Sequence, residues 1–115
     1  MNDFDIPIFK KSYELFKTYN SYRRLIPKQD RFTTFERSEN LILDIIEGIL
    51  YASSLTKQDK LPILERVSVK LNVLRVFLRL LKEVKALDTK KYILLETMID
   101  EIGRMLGGWI KSLRT

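Results

Sequence analysis

Residues 92–113 read YILLETMIDEIGRMLGGWIKSL, with apolar side chains at Tyr92, Leu95, Ile99, Ile102, Leu106, Trp109 and Leu113. The steps between them alternate three and four without a miss, the spacing that keeps side chains on one face of an α-helix. Nowhere does the chain show the sustained two-residue alternation of a strand. A helix with one such stripe must bury it against other elements.

The sequence supplies them. Upstream, Asp59 is placed to cap a helix that holds Pro62 in its first turn, where backbone donors have no partner, and that runs to about Ala86. Before it, Thr33 and Glu36 have capping-box spacing and open a helix to about Ser53, with Phe35, Ile42, Ile45, Ile49 and Ala52 along one face. A first helix covers about residues 7–25, capped by Asp5, with Pro7 in the first turn and Phe9, Ser12, Phe16 and Tyr19 flanked by Ile8, Leu15 and Tyr22. It ends before Pro27, which disfavours helical geometry at Ile26. The fourth helix starts near Asp88 or Thr89. Connections of roughly three to eight residues force neighbouring helices antiparallel. The expected fold is all-α, an up-down-up-down four-helix bundle, with residues 1–115 as one domain.

Composition narrows the chemistry. The chain has 45% hydrophobic and 31% charged residues, as a folded protein does, and no cysteine or histidine. Disulfides, thiolate nucleophiles, Cys/His zinc sites and imidazole proton transfer are therefore excluded. Asp44 with Glu47, and Asp100 with Glu101, are the carboxylate pairs available for acid–base work, but no nucleophile or second ligand set accompanies them. The expectation is a protein without catalytic residues, metal or cofactor. Residues 1–11 lack the apolar core of a secretory signal, and no apolar run reaches the ~20 residues that span a bilayer. A cytoplasmic, membrane-free protein is expected.

The third helix has more apolar surface than one bundle core can bury. On a 100° wheel, Leu64, Val67, Leu71, Leu74, Leu78 and Leu81 share a sector that faces the core. Nearly opposite lies a second stripe of Val69, Val73, Val76, Leu80 and Val84. Five branched aliphatics in register make a patch that points to an interface between copies of the chain. Scattered surface valines are the bland alternative. Between the stripes run Arg75, Arg79 and Lys82 on one side and Arg66 with Lys70 on the other. Residues 60–91 hold nine Lys/Arg against Glu65, Glu83 and Asp88, a local +6, while the rest of the chain sums to zero. With Lys85, these cations form a candidate contact for a partner or for RNA or DNA backbone, repeated in each copy of an oligomer. The bland alternative is a solvated helix flank. The Tyr and Phe residues read as core, and no RNA-binding module signature is present.

Gly103, Gly107 and Gly108 interrupt the fourth helix and read either as a close backbone approach or as a weakened helix end. The stretch Glu101-Ile102-Gly103-Arg104-Met105-Leu106-Gly107-Gly108-Trp109-Ile110-Lys111 resembles the C-terminal helix of the accessory variability determinant (Avd) proteins of diversity-generating retroelements. Pro27-Lys28-Gln29-Asp30-Arg31-Phe32-Thr33 resembles the first interhelical turn shared by Avd and the wider four-helix proteins of the 23S ribosomal RNA intervening-sequence family. Thr34 and Phe35 stand where that pattern has Leu-Gly, and Arg37 supplies the base that follows. The resemblance implies a homopentamer of basic four-helix bundles. It would bind the retroelement's reverse transcriptase and template RNA and support mutagenic retrohoming. An oligomeric scaffold of the intervening-sequence type is the alternative.

Overall fold

Four long helices, α1 (Asp5–Ser21), α2 (Thr34–Ser53), α3 (Lys57–Glu83) and α4 (Thr89–Leu113), each traverse the molecule once. The computed structural model describes residues 5–114, with side chains from residue 6. The first four residues of the amino-terminal stretch read above therefore lie outside the described residues. Cross-helix contacts fix the topology. The Tyr19 hydroxyl donates to the Phe35 carbonyl, Lys70 meets Asp44, Arg75 meets Asp100, and Lys11 meets Glu101. A second contact gives the direction for three of these helix pairs: Lys60 meets Ala52, Arg114 meets Glu65, and Lys91 lies over Tyr22, so numbers rise on one helix as they fall on its neighbour, as in an up-down-up-down bundle. The molecule measures 45 × 22 × 19 Å, and no described helix is long and apolar enough to cross a membrane.

The core is the set of stripes that periodicity selects. Ile8, Leu15 and Tyr19 of α1 are buried against Phe35, Ile42, Ile45, Ile49 and Ala52 of α2. All six core-facing residues of α3 are buried, as are Leu95, Ile99, Ile102, Leu106 and Trp109 of α4. Tyr92 and Leu113 close the ends of the α4 stripe and are partly buried. Where α2 and α3 pack, Gly48 makes room for the Val67 side chain: a Cβ there would lie 2.5 Å from its Cγ2.

Helix ends differ from the sequence reading. Asp5, expected as a cap, is itself helical and is the first described residue of α1; its side chain lies outside the described set. The first helix stops at Ser21 and continues as one 3-10 turn, Arg23–Leu25, followed by a one-turn helix, Lys28–Arg31. Arg31 folds back so that its Nη2 donates to the Ile26 carbonyl at 3.1 Å, tying the turn beside Pro27. Thr33 holds the cap position of α2 without capping it; its hydroxyl donates backwards to the carbonyls of Gln29 and Asp30. The extra helical turn before it competes for that hydroxyl. α3 starts at Lys57, after Thr56, so Asp59 sits inside the first turn and accepts from the Thr56 hydroxyl at 3.0 Å. Pro62 is then in the second turn, where its missing N–H costs only the bond to the exposed Gln58.

The α3–α4 connection is built as a complete helix stop. Lys85 has φ 63°, the Ala86 N–H donates to the Leu81 carbonyl, and the Lys85 N–H donates to the Lys82 carbonyl. This is a Schellman motif with lysine where glycine is favoured. Asp88 then caps α4, accepting from the Lys91 backbone N–H at 2.8 Å. The Lys91 side chain adds a second hydrogen bond, which with the cap holds the Asp88 carboxyl below the usual aspartate range and raises Lys91. A left-handed conformation costs a non-glycine residue roughly 1–2 kcal/mol. Lys85→Gly is therefore expected to stabilise the fold by about 1 kcal/mol, raising Tm by roughly 3–6 °C. Thermal unfolding followed by circular dichroism checks it, and an unchanged or lower Tm refutes the strain.

Candidate nucleic-acid and assembly interface

Because α3 packs against both α2 and α4 with one face, its opposite face is left to solvent. Val69, Val73, Val76, Leu80 and Val84 lie there, exposed from 37% at Val73 to 62% at Val69. The wheel's second stripe thus faces outward from Val69 to Val84, over the carboxy-terminal half of α3 and its cap residue. Exposed aliphatics also occur at Leu43 and Leu50 on α2 and at Ile93 and Leu94 on α4.

The cations beside the stripe divide as the wheel orders them, and their partners differ. On the α2 side, Lys70 Nζ donates to Asp44 Oδ2 at 3.0 Å. Arg66 lies beside it in a groove of about 260 Å³ lined by Asp44, Glu47, Gly48 and Tyr51. On the α4 side, Arg75 is ion-paired with Asp100. Lys82 places its ammonium 4.7 Å from the centroid of the Tyr92 ring. Arg79 and Lys85 are exposed, and neither has an ion pair among the described residues. Of the six candidate residues, Lys70 and Arg75 are held by carboxylates, and Arg66, Arg79, Lys82 and Lys85 have no carboxylate partner among the described residues. The carboxylates Asp44, Asp100 and Glu101 each pair with a base on a neighbouring helix. No cluster of three acidic side chains able to hold a metal occurs among the described residues.

The glycines of α4 take their meaning from Arg75. A Cβ on Gly103 would meet Arg75 Nη2 at 3.0 Å, so the glycine clears space for the guanidinium that reaches Asp100 one turn earlier. Gly107 has nothing within 4 Å of such a Cβ, and α4 runs on as regular helix to Leu113. The group that approaches Gly103 is thus the Arg75 side chain and not the other backbone expected from the sequence, and the weakened helix end is not seen among the described residues.

Folding also gathers charge that the linear sequence scatters. The turn between α1 and α2 and the loop between α3 and α4 meet at one end of the bundle. Tyr22, Leu25 and Ile26 line one small cavity there with Lys85, Ala86, Leu87 and Lys91, and the Lys91 ammonium lies 5.7 Å from the Tyr22 ring centroid. Residues 17–39 and 79–91, which build this end, hold eleven Lys/Arg against five Asp/Glu, the entire +6 excess of the chain. Lys60, counted with the basic segment, is not part of it: it is buried at the opposite end, where Nζ donates to the Ala52 carbonyl at 2.8 Å. Arg24 and Lys28 also belong to the basic end and do not show on the helix-three wheel, whereas Lys90 lies within the basic segment 60–91. Only the antiparallel return of the chain brings the turn that carries Arg24 and Lys28 to the same end as Lys85. The reading of all Phe and Tyr as core also fails in part. Tyr19 and Phe35 stack in the interior with centroids 4.2 Å apart, and burial pushes the Tyr19 hydroxyl far above the usual tyrosine value. Tyr13, Phe32 and Tyr51, in contrast, are more than half exposed.

These features define a basic four-helix bundle that presents an aliphatic ridge edged with cations. The chain belongs to the bAvd-like family, whose model matches residues 8–113, and it is an Avd-type accessory protein. A search of curated proteins gives no significant match.

Proposed function

We propose that this chain serves a diversity-generating retroelement as a non-catalytic, cytoplasmic accessory factor. Copies associate through the outward stripe of α3 as the homopentamer that the family resemblance implies. The repeated basic surface then engages template RNA through its phosphates and offers the reverse transcriptase a docking face. Family membership supplies the role, and the observation that carries the mechanism is the exposed aliphatic row on α3 beside Arg79, Lys82 and Lys85. Cations without carboxylate partners are free to replace condensed counterions on a polyphosphate, which favours binding by entropy and makes it salt-dependent.

Fluorescence anisotropy with labelled RNA tests this. Affinity is expected to fall steeply between 50 and 200 mM salt, by at least an order of magnitude. Replacing Arg79, Lys82 and Lys85 together with glutamine is expected to weaken binding roughly ten-fold or more at low salt and to flatten the salt dependence. Arg75 is left intact because its loss would strand Asp100. If the parent ignores RNA at low salt while remaining oligomeric, the scaffold reading replaces this one.

A further inference from the structure

At the basic end of the bundle one large apolar side chain stays mostly outside the core. Phe32 is 59% exposed, at the junction of the one-turn helix and α2. It makes no ring contact with any described aromatic residue. Leu25, 64% exposed, ends the 3-10 turn that opens the same connection. The nearby cations divide into two kinds. Arg23 is committed to Glu39, and Arg31 to the Ile26 carbonyl. Arg24 and Lys28 are exposed and have no ion pair among the described residues.

We infer that this turn binds single-stranded nucleic acid, with Phe32 as the stacking face for one unpaired base and Arg24 and Lys28 on the flanking phosphates. The inference rests on the nucleic-acid reading above and adds a site that reading does not contain. An exposed ring amid excess positive charge suits a ligand that is aromatic and anionic at once. A protein partner of complementary acidity would use the charge but would not need the ring isolated. Single strands are favoured because bases in a duplex hide their faces, whereas splayed bases stack on exposed aromatics without sequence preference. Lys85, on the α3–α4 loop across the same end, and Lys90, in the first turn of α4, extend the positive track along which a strand would continue.

Phe32→Trp gives a direct reporter, because the only natural tryptophan, Trp109, is 1% exposed in the core. Titration of that variant with a short polyuridine strand is expected to quench the new indole, and a duplex of equal length is expected not to. In the natural ring's absence, Phe32→Ala should weaken single-strand binding roughly ten-fold at constant salt slope and unchanged Tm. Arg24→Gln with Lys28→Gln should instead lower the slope by about 0.7 for each phosphate lost. Single-strand binding equal to the parent in Phe32→Ala, an unquenched indole, or equal loss of duplex binding would overturn the stacking site. In each of those cases salt-sensitive binding by the parent persists, so the proposed function stands. A parent that binds no nucleic acid sinks both.

Discussion

Val76→Asp combined with Leu80→Asp is expected to yield a helical protein of single-chain mass, 13.7 kDa, where the proposed assembly predicts an oligomer for the parent. Both side chains project from the outward face of α3, 51% and 46% exposed. Their replacement therefore removes little packing inside the bundle, and surface changes of this kind shift stability by about 0.5 kcal/mol or less. Between subunits the effect is opposite in scale. The pair sits at the centre of the five-residue stripe, and two carboxylates there would have to be desolvated without partners, which costs several kcal/mol each. Light scattering at tens of micromolar reads the result, with circular dichroism confirming that the helices persist. RNA retention should fall with it, because a lone protomer offers one basic end instead of several. A variant of unchanged mass would place the contact elsewhere. A parent that is already monomeric would leave the stripe without a role in assembly. A ring also needs a second, different surface to receive the stripe, since cyclic assemblies above the dimer use heterologous contacts. The exposed aliphatics of α2 or α4, Leu43 and Leu50 or Ile93 and Leu94, are the apolar surfaces available for it.

The difference between what periodicity reveals and what it hides is visible on α3 itself. A wheel fixes the angle of each side chain about one axis, so it separates Leu71 from Val73 and assigns Arg66 and Arg79 to opposite flanks. The six buried and five exposed apolar residues follow from that angle alone. It contains no information about height on a neighbouring helix. Whether Lys70 meets Asp44, 26 residues away, and Arg75 meets Asp100, 25 away, depends on where the connecting turns place the next helix. Those turns were the least legible segments, because short-range hydrogen bonds compete there. The Thr33 hydroxyl serves the preceding turn, and Thr56 supplies the start assigned to Asp59. The same uncertainty concealed the basic end, which exists only once residues 17–39 and 79–91 are adjacent. Phe32 was misread for a related reason: as an aromatic residue near a helix start it looks like core, yet Phe35 already fills that place against Tyr19.

The second large effect is expected at the opposite end, from Trp109→Ala. The indole is 1% exposed and lies beside the buried Lys60, whose ammonium is 5.8 Å from the ring centroid. Large aromatic-to-alanine changes in a core cost about 3–5 kcal/mol through lost transfer energy and an unfilled cavity. Here the cavity would also open beside an ammonium, and it falls where the α2–α3 turn is held to α4, so the upper part of that range is expected. Against a total stability of about 5–15 kcal/mol this approaches unfolding. Urea denaturation followed by circular dichroism gives the measurement, since the variant retains no tryptophan. Lys60→Met separates the ring from the charge. Its chain can occupy the same space, and the Ala52 carbonyl still accepts from the Leu55 N–H at 3.1 Å, so a change within about 1 kcal/mol is expected. It should also leave RNA affinity untouched, because Lys60 belongs to the core at the end remote from the cations proposed to meet phosphate. A loss above about 3 kcal/mol in Lys60→Met would mean that the ammonium, and not the indole, holds this end together.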